Sequence, residues 1–158
     1  METLDHHILA LLAADGRMSY TDIGKATGLS TSAAQQRVRR LEQRGVITSY
    51  RAVLSPEQLG RTLTAFIAIR PFDPAEDELV PPAIAAMPEV IDCYSVAGEA
   101  SYLLKVQVAT TTELDELLTR MRLNAKVSTS TTVALTTLFT DRPLLEPAGH
   151  GSTGADEA

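Results

Sequence analysis

Ser32, Gln36, Arg39 and Gln43 recur at i, i+4, i+7 and i+11, the spacing that aligns side chains along one face of a helix. Glutamine and arginine carry the paired donors and acceptors that match adenine and guanine edges in a major groove. Thr31 and Gln35 lie beside this stripe. Arg37, Arg40 and Arg44 flank it and Lys25 precedes it, cations suited to backbone phosphates. Taken singly, each long basic side chain reads as well as a solvated surface residue. Together they imply recognition of double-stranded DNA. Side chains for catalysis are poorly placed by comparison. His6 and His7 are adjacent, so on a helix they point about 100° apart and form no i, i+4 ligand pair. Cys93 alternates within an extended stretch without a histidine near it in sequence, the setting of a buried structural thiol. Glu113, Asp115 and Glu116 fall in the first turn of a helix, where the dipole favours negative charge. No HExxH, GxSxG or phosphate-binding glycine loop occurs. The residues thus offer no catalytic set, no metal site and no cofactor site; a small ferredoxin-like enzyme is the weaker alternative.

The elements that position the basic face follow from capping and periodicity. Leu4, Ile8, Leu11 and Leu12 form one apolar stripe, with Thr3 as its cap and Gly16 as its stop. Ser19 opens a second helix with Asp22 in the capping-box position, and Gly28 ends it. A third helix opens at Ser30 or Thr31, buries Ala34, Val38 and Leu41, and ends at Gly45. Val46–Tyr50 reads as a strand, which would add a wing. Long helix, short helix, glycine-containing turn and basic helix are the order of a helix-turn-helix unit.

Charge divides the chain in the same place. Arg17 to Arg51 holds seven basic and two acidic residues, whereas residue 61 onward holds seven basic and fourteen acidic, within a total of −6. A basic block on an acidic chain fits a nucleic-acid module joined to something else. With 44% hydrophobic and 22% charged residues the composition is that of a globular protein. The 4% aromatic content and absence of tryptophan argue against a stacking platform for single strands. No apolar run reaches membrane-spanning length and the N-terminus has no signal-peptide pattern, so the expectation is a cytoplasmic, nucleoid-associated protein without a membrane partner.

The second half alternates differently. Leu63–Ile69 is a strand, Pro71–Asp77 a turn, Glu78–Met87 a helix, and Val90–Val96 and Tyr102–Val108 are strands. Thr111 or Thr112 caps a helix carrying Leu114, Leu117, Leu118 and Met121, and Val127–Thr140 is a last strand. The fold class is therefore α+β, a winged helix-turn-helix domain followed by a ferredoxin-like β-α-β-β-α-β domain. Domain limits are 1–52 and 62–142, joined by a linker over 53–61 with Pro56 and Gly60 and followed by a mobile tail over 143–158. Phe66 and Ala68 oppose Leu63, Ala65, Ile67 and Ile69, and Val133, Leu135, Thr137 and Phe139 oppose Ala134 and Leu138. Apolar residues on both sheet faces imply a second copy covering the open one, a homodimer.

Taken in order, these pieces resemble the Lrp/AsnC family of transcriptional regulators over residues 3–141. The resemblance rests on Leu4-Asp5-His6-His7-Ile8-Leu9, Asp15-Gly16-Arg17-Met18-Ser19, Gly28-Leu29-Ser30 and Arg37-Val38-Arg39-Arg40-Leu41-Glu42. It continues through Gly45-Val46-Ile47, Tyr50-Arg51-Ala52, Pro88-Glu89-Val90, Cys93 to Glu99, Tyr102 to Val106 and Thr131 to Leu135. The resemblance implies a DNA-binding regulator of amino-acid-related metabolism. It also implies a C-terminal domain of the family's ligand-sensing (RAM) type and dimers that assemble into octamers as a tetramer of dimers. A free amino acid would be the effector, bound where dimers meet. Ala97-Gly98-Glu99-Ala100-Ser101 matches the family's effector loop, and Thr129 and Thr131 on the polar strand would face it. Gly98 is equally compatible with an ordinary hairpin, and the Thr/Ser run with a solvated strand. Many members carry aspartate where Ser101 stands; Glu99 is then the nearby carboxylate for an ammonium group. An architectural protein that compacts DNA without an effector is the alternative within the same residues.

Overall fold

A computed structural model describes residues 2–145. Most of the expected tail over 143–158, from residue 146 onward, lies outside the described residues. The chain forms two compact units: one takes the residues up to Val53 and those from Phe139 on, the other Leu54–Leu138.

The first unit holds α1 (Thr3–Ala14), α2 (Tyr20–Thr27) and α3 (Thr31–Gln43). Ile8, Ile23, Ala34, Val38 and Leu41 make its core, with Leu9, Leu12, Met18, Leu29 and Ile47 packed around them. Ser19 Oγ accepts from the Asp22 amide at 3.1 Å and donates to Asp22 Oδ2 at 2.6 Å, which fixes the start of α2. Gly28 ends α2 at φ 72°, a left-handed conformation that glycine adopts without steric cost. Of the two candidate caps for α3, Ser30 is used: its Oγ accepts from the Ala33 amide at 3.2 Å. Thr3 does not cap α1; it is the first helical residue, and Glu2 precedes it without a side-chain cap bond.

The strand expected over Val46–Tyr50 does not form. The amides of Val46 and Ile47 both donate to the Leu41 carbonyl, so they close the end of α3 instead of joining a ladder. No strand occurs in the first unit among the described residues, and the expected wing is absent.

The second unit contains β1 (Leu63–Pro71), a 3₁₀ helix (Pro74–Leu79), α4 (Val80–Ala85), β2 (Val90–Ser95), β3 (Tyr102–Val108), α5 (Thr111–Asn124) and β4 (Val127–Val133). The four strands pair antiparallel in the order β2-β3-β1-β4, the ferredoxin-like arrangement. Ile67, Ile69, Leu104 and Val106 from the sheet meet Val80, Ile84, Leu117 and Met121 from the helices in a single core. The helix expected over Glu78–Met87 is split. Pro81 and Pro82 supply no amide donors and fit only a first helical turn, so α4 starts beside them and a 3₁₀ turn fills the approach. Thr110, one residue before the expected positions, caps α5 through the Glu113 amide.

β4 stops at Val133 rather than Thr140. Ala65 pairs with Val133 and the Thr64 carbonyl accepts from Ala134, but β1 begins at Leu63, so the chain beyond has no ladder partner. Leu135 is 97% exposed. Residues paired across strands share a face, which places Phe66, Ala68, Leu103 and Tyr94 on the sheet face opposite the helices. On β4 that face carries Ser128, Ser130 and Thr132, not the apolar set expected there. Cys93 is exposed, contrary to a buried thiol, because β2 is an edge strand and nothing covers it there. What desolvation it does have pushes its pKa up and disfavours the reactive thiolate.

Candidate nucleic-acid interface and loop-lined cleft

α3 has the two-faced character its sequence requires. Ala34, Val38 and Leu41 are buried, whereas Thr31, Ser32, Gln36, Arg39, Arg40, Gln43 and Arg44 are exposed and Gln35 is half-buried. Lys25 on α2 is exposed beside Asp22, 3.7 Å away. The hydroxyls of Thr21 and Thr31 approach to 3.4 Å, bringing the N-terminal turns of α2 and α3 together. No spacing in the sequence marks Thr21 for this contact. The result is a convex polar surface, rich in arginine, on a helix whose other side is locked into the core. Such a helix can enter a major groove.

Arg37 departs from its expected place among the phosphate-facing cations. It points back across the unit, where Nη1 donates to Glu2 Oε2 at 2.8 Å and Asp5 Oδ1 at 2.9 Å. Its hydrogen bonds to the Glu2 carboxylate first and to Asp5 second hold the guanidinium above its ordinary pKa. The signal was present in the sequence: Asp5, Ile8, Leu9 and Leu12 fall at i, i+3, i+4 and i+7, so a carboxylate sits on an apolar stripe and requires a cation. Tyr50 donates to Glu42 Oε1 at 2.9 Å; desolvation, reinforced by that carboxylate, pushes its pKa up to about 12.

In the second unit the loop between β2 and β3 is tied at both ends. The Val96 amide donates to the Ser101 carbonyl and the Ser101 amide donates to the Ile69 carbonyl, each at 3.0 Å. Gly98 within it has φ 158°, and a Cβ there would meet nothing within 4 Å. Beside the loop is a cleft of about 300 Å³ lined by Ala68, Ile69, Arg70, Glu99, Ala100, Ser128, Thr129 and Ser130. Of the expected ligand residues, Glu99, Ala100 and Thr129 line it. Ala97, Gly98 and Ser101 shape the loop without lining the cleft, and Thr131 lies farther along β4, opposite Ile67. Ser128 and Ser130 come with Thr129 from the polar strand expected to face the loop. Arg70 is the addition, although alternation along β1 places it on the same face as Phe66 and Ala68. Among the described residues neither Arg70 nor Glu99 is in an ion pair. One cation, one anion and several hydroxyls around a small volume suit a small zwitterion.

No helix among the described residues is long and apolar enough to cross a membrane, and no group of three or more metal-ligating side chains occurs there. Comparison with known proteins matches residues 1–42 to an AsnC-type helix-turn-helix domain and residues 64–144 to an Lrp/AsnC ligand binding domain. The chain is 45% identical over 142 residues to the HTH-type transcriptional regulator LrpA of Mycobacterium tuberculosis, covering 90% of this chain and 95% of that protein. It is 35% identical over 139 residues to the leucine-responsive regulatory protein of Escherichia coli, with 85% of each covered. Among solved structures, a feast or famine regulatory protein from M. tuberculosis complexed with L-methionine matches at TM-score 0.86 and 45% identity, covering 89% of this chain and 96% of that one.

Proposed function

The chain belongs to the Lrp/AsnC family of DNA-binding transcriptional regulators, and from that premise we propose how its own residues divide the work. It is a regulator and not an enzyme. The observation that carries the DNA reading is the exposed face of α3 opposite its buried Ala34, Val38 and Leu41. Thr31, Ser32, Gln35, Gln36 and Arg39 face base edges, and Lys25, Arg40 and Arg44 face phosphates. Two copies joined through the open sheet face, with Phe66, Ala68, Leu103 and Tyr94 at its centre, present two such helices. They engage successive major grooves about 34–36 Å apart. Further assembly of dimers, to an octamer in the family's manner, brings loop-lined clefts to their contacts.

A free amino acid is the effector. Its carboxylate meets Arg70, its ammonium group meets Glu99, and Ser128 and Ser130 complete the hydrogen bonding. Two of its relatives, by name or bound ligand, concern leucine and methionine, which supports an amino acid in this cleft. The ligand acts by binding one assembly more tightly than another, and only that difference can change promoter occupancy.

The test is binding to DNA from upstream of the protein's own gene across a salt series, with each amino acid in turn. Arg39→Ala should relax base preference, with a loss of about 1–3 kcal/mol on the preferred site. Arg40→Ala should weaken all sequences alike and lower the salt slope by about 0.9. Unchanged operator affinity in Arg39→Ala would show that another face reads the DNA.

A further inference from the structure

Asp5 is the only buried charged residue among the described residues, 8% exposed. It lies on the inner side of α1, and its partner Arg37 comes from α3 with a side chain 21% exposed. A carboxylate removed from water is costly unless a cation meets it with good geometry. The three other arginines on or beside α3, Arg39, Arg40 and Arg44, are all exposed, so Arg37 is the one drawn inward. The remaining contacts of α3 with the core run through Ala34, Val38 and Leu41. Such contacts are small and apolar and carry no direction, so they resist separation better than rotation about the helix axis. A hydrogen-bonded ion pair has direction.

We propose that Asp5 and Arg37 form a clamp that sets the rotation of α3 and so aims its polar face, and that Arg37 makes no phosphate contact. This rests on α3 being the reading helix. Arg37 is then a positioning residue, acting on DNA through the orientation of Gln36 and Arg39. Glu2, whose side chain is 71% exposed, shares Nη1 and contributes little, since exposed pairs are screened by water.

The clamp makes a prediction opposite in sign to simple electrostatics. Asp5→Asn removes a negative charge from a DNA-binding unit, which by charge alone should tighten binding. Misaiming the helix should instead weaken it, by about tenfold, because the half-buried Arg37 loses its inner charged partner and keeps only the exposed Glu2. Arg37→Gln should weaken binding comparably with the salt slope unchanged, whereas loss of a phosphate contact lowers that slope by about 0.9. The pair Asp5→Asn with Arg37→Gln should return affinity to within about threefold of the original protein, because two amides hydrogen-bond without either charge.

The experiment is a titration of the full chain and these three variants with the upstream DNA at several salt concentrations. Thermal unfolding of each is recorded alongside, with Arg39→Ala and Arg40→Ala as controls. Tighter binding by a folded Asp5→Asn overturns the clamp. So does a salt slope for Arg37→Gln that falls as it does for Arg40→Ala, or a double variant as weak as the two singles combined. Should Asp5→Asn fail to fold, the Arg37→Gln slope and the double variant still decide. Undiminished binding by both controls would overturn the reading helix itself and the clamp's role with it; impaired controls alongside a failed cycle overturn the clamp alone.

Discussion

A Cβ at Gly24 would stand 2.6 Å from the carbonyl oxygen of Leu29, which belongs to the backbone and has no easy way to move aside. In an open helix Gly→Ala stabilises by roughly 1 kcal/mol. Here the added methyl meets the turn joining α2 to α3, and overpacking against backbone costs about 1–3 kcal/mol. Gly24→Ala should therefore lower the melting temperature of the first unit and weaken DNA binding, read by thermal unfolding and by titration; a more stable variant would contradict the packing described. At this scale much was legible in the sequence. Ser19, Ser30 and Gly28 act on neighbours within three or four residues, so their capping roles follow from spacing alone. The partner of Arg37 is 32 residues away and depends on how α1 packs on α3, which spacing within one helix cannot specify.

The elements that differ from expectation share a cause: each needed a partner or a donor that local pattern does not reveal. Val46–Tyr50 has strand-forming residues but no ladder, and Val127–Thr140 continues in composition after its partner strand has run out. The candidate cleft was legible in its loop and only half legible in its wall. Glu99 belongs to a motif, but Arg70 joins it only because β1 and β4 pair with Arg70 opposite Ser128. If the cleft holds a zwitterion, Arg70→Ala and Glu99→Gln should each weaken the effector about 10–100-fold, the size of a lost charge-assisted hydrogen bond. DNA affinity without effector should stay within about twofold, since neither residue belongs to the unit that binds it. Calorimetry with the effector and titration with DNA separate the two; equal losses in both would point to disturbed assembly rather than a ligand contact.

For the whole molecule, the +5 of the segment from Arg17 to Arg51 against the −7 from residue 61 onward leaves DNA attraction to the first unit. In the proposed dimer, pairing of copies falls to the open sheet face of the second, where Phe66 is 41% exposed between Lys105 and Thr132. Phe66→Asp places a charge at the centre of that contact, so size exclusion at micromolar concentration should shift from dimer to monomer, with DNA affinity falling as the paired half-sites separate. A dimer that survives this change would place the contact elsewhere. That face, the cleft and the core each take residues from the nine of β1. Ala65, Ile67 and Ile69 turn to the helices, while Phe66, Ala68 and Arg70 take the opposite side in succession, a proposed partner contact, a cleft wall and a cleft charge. The strand thus behaves like a reading frame. A substitution alters one word and leaves the others intact, so pairing and ligand preference can drift apart by single steps. One inserted or deleted residue exchanges every inward side chain for an outward one and loses core, partner and ligand together.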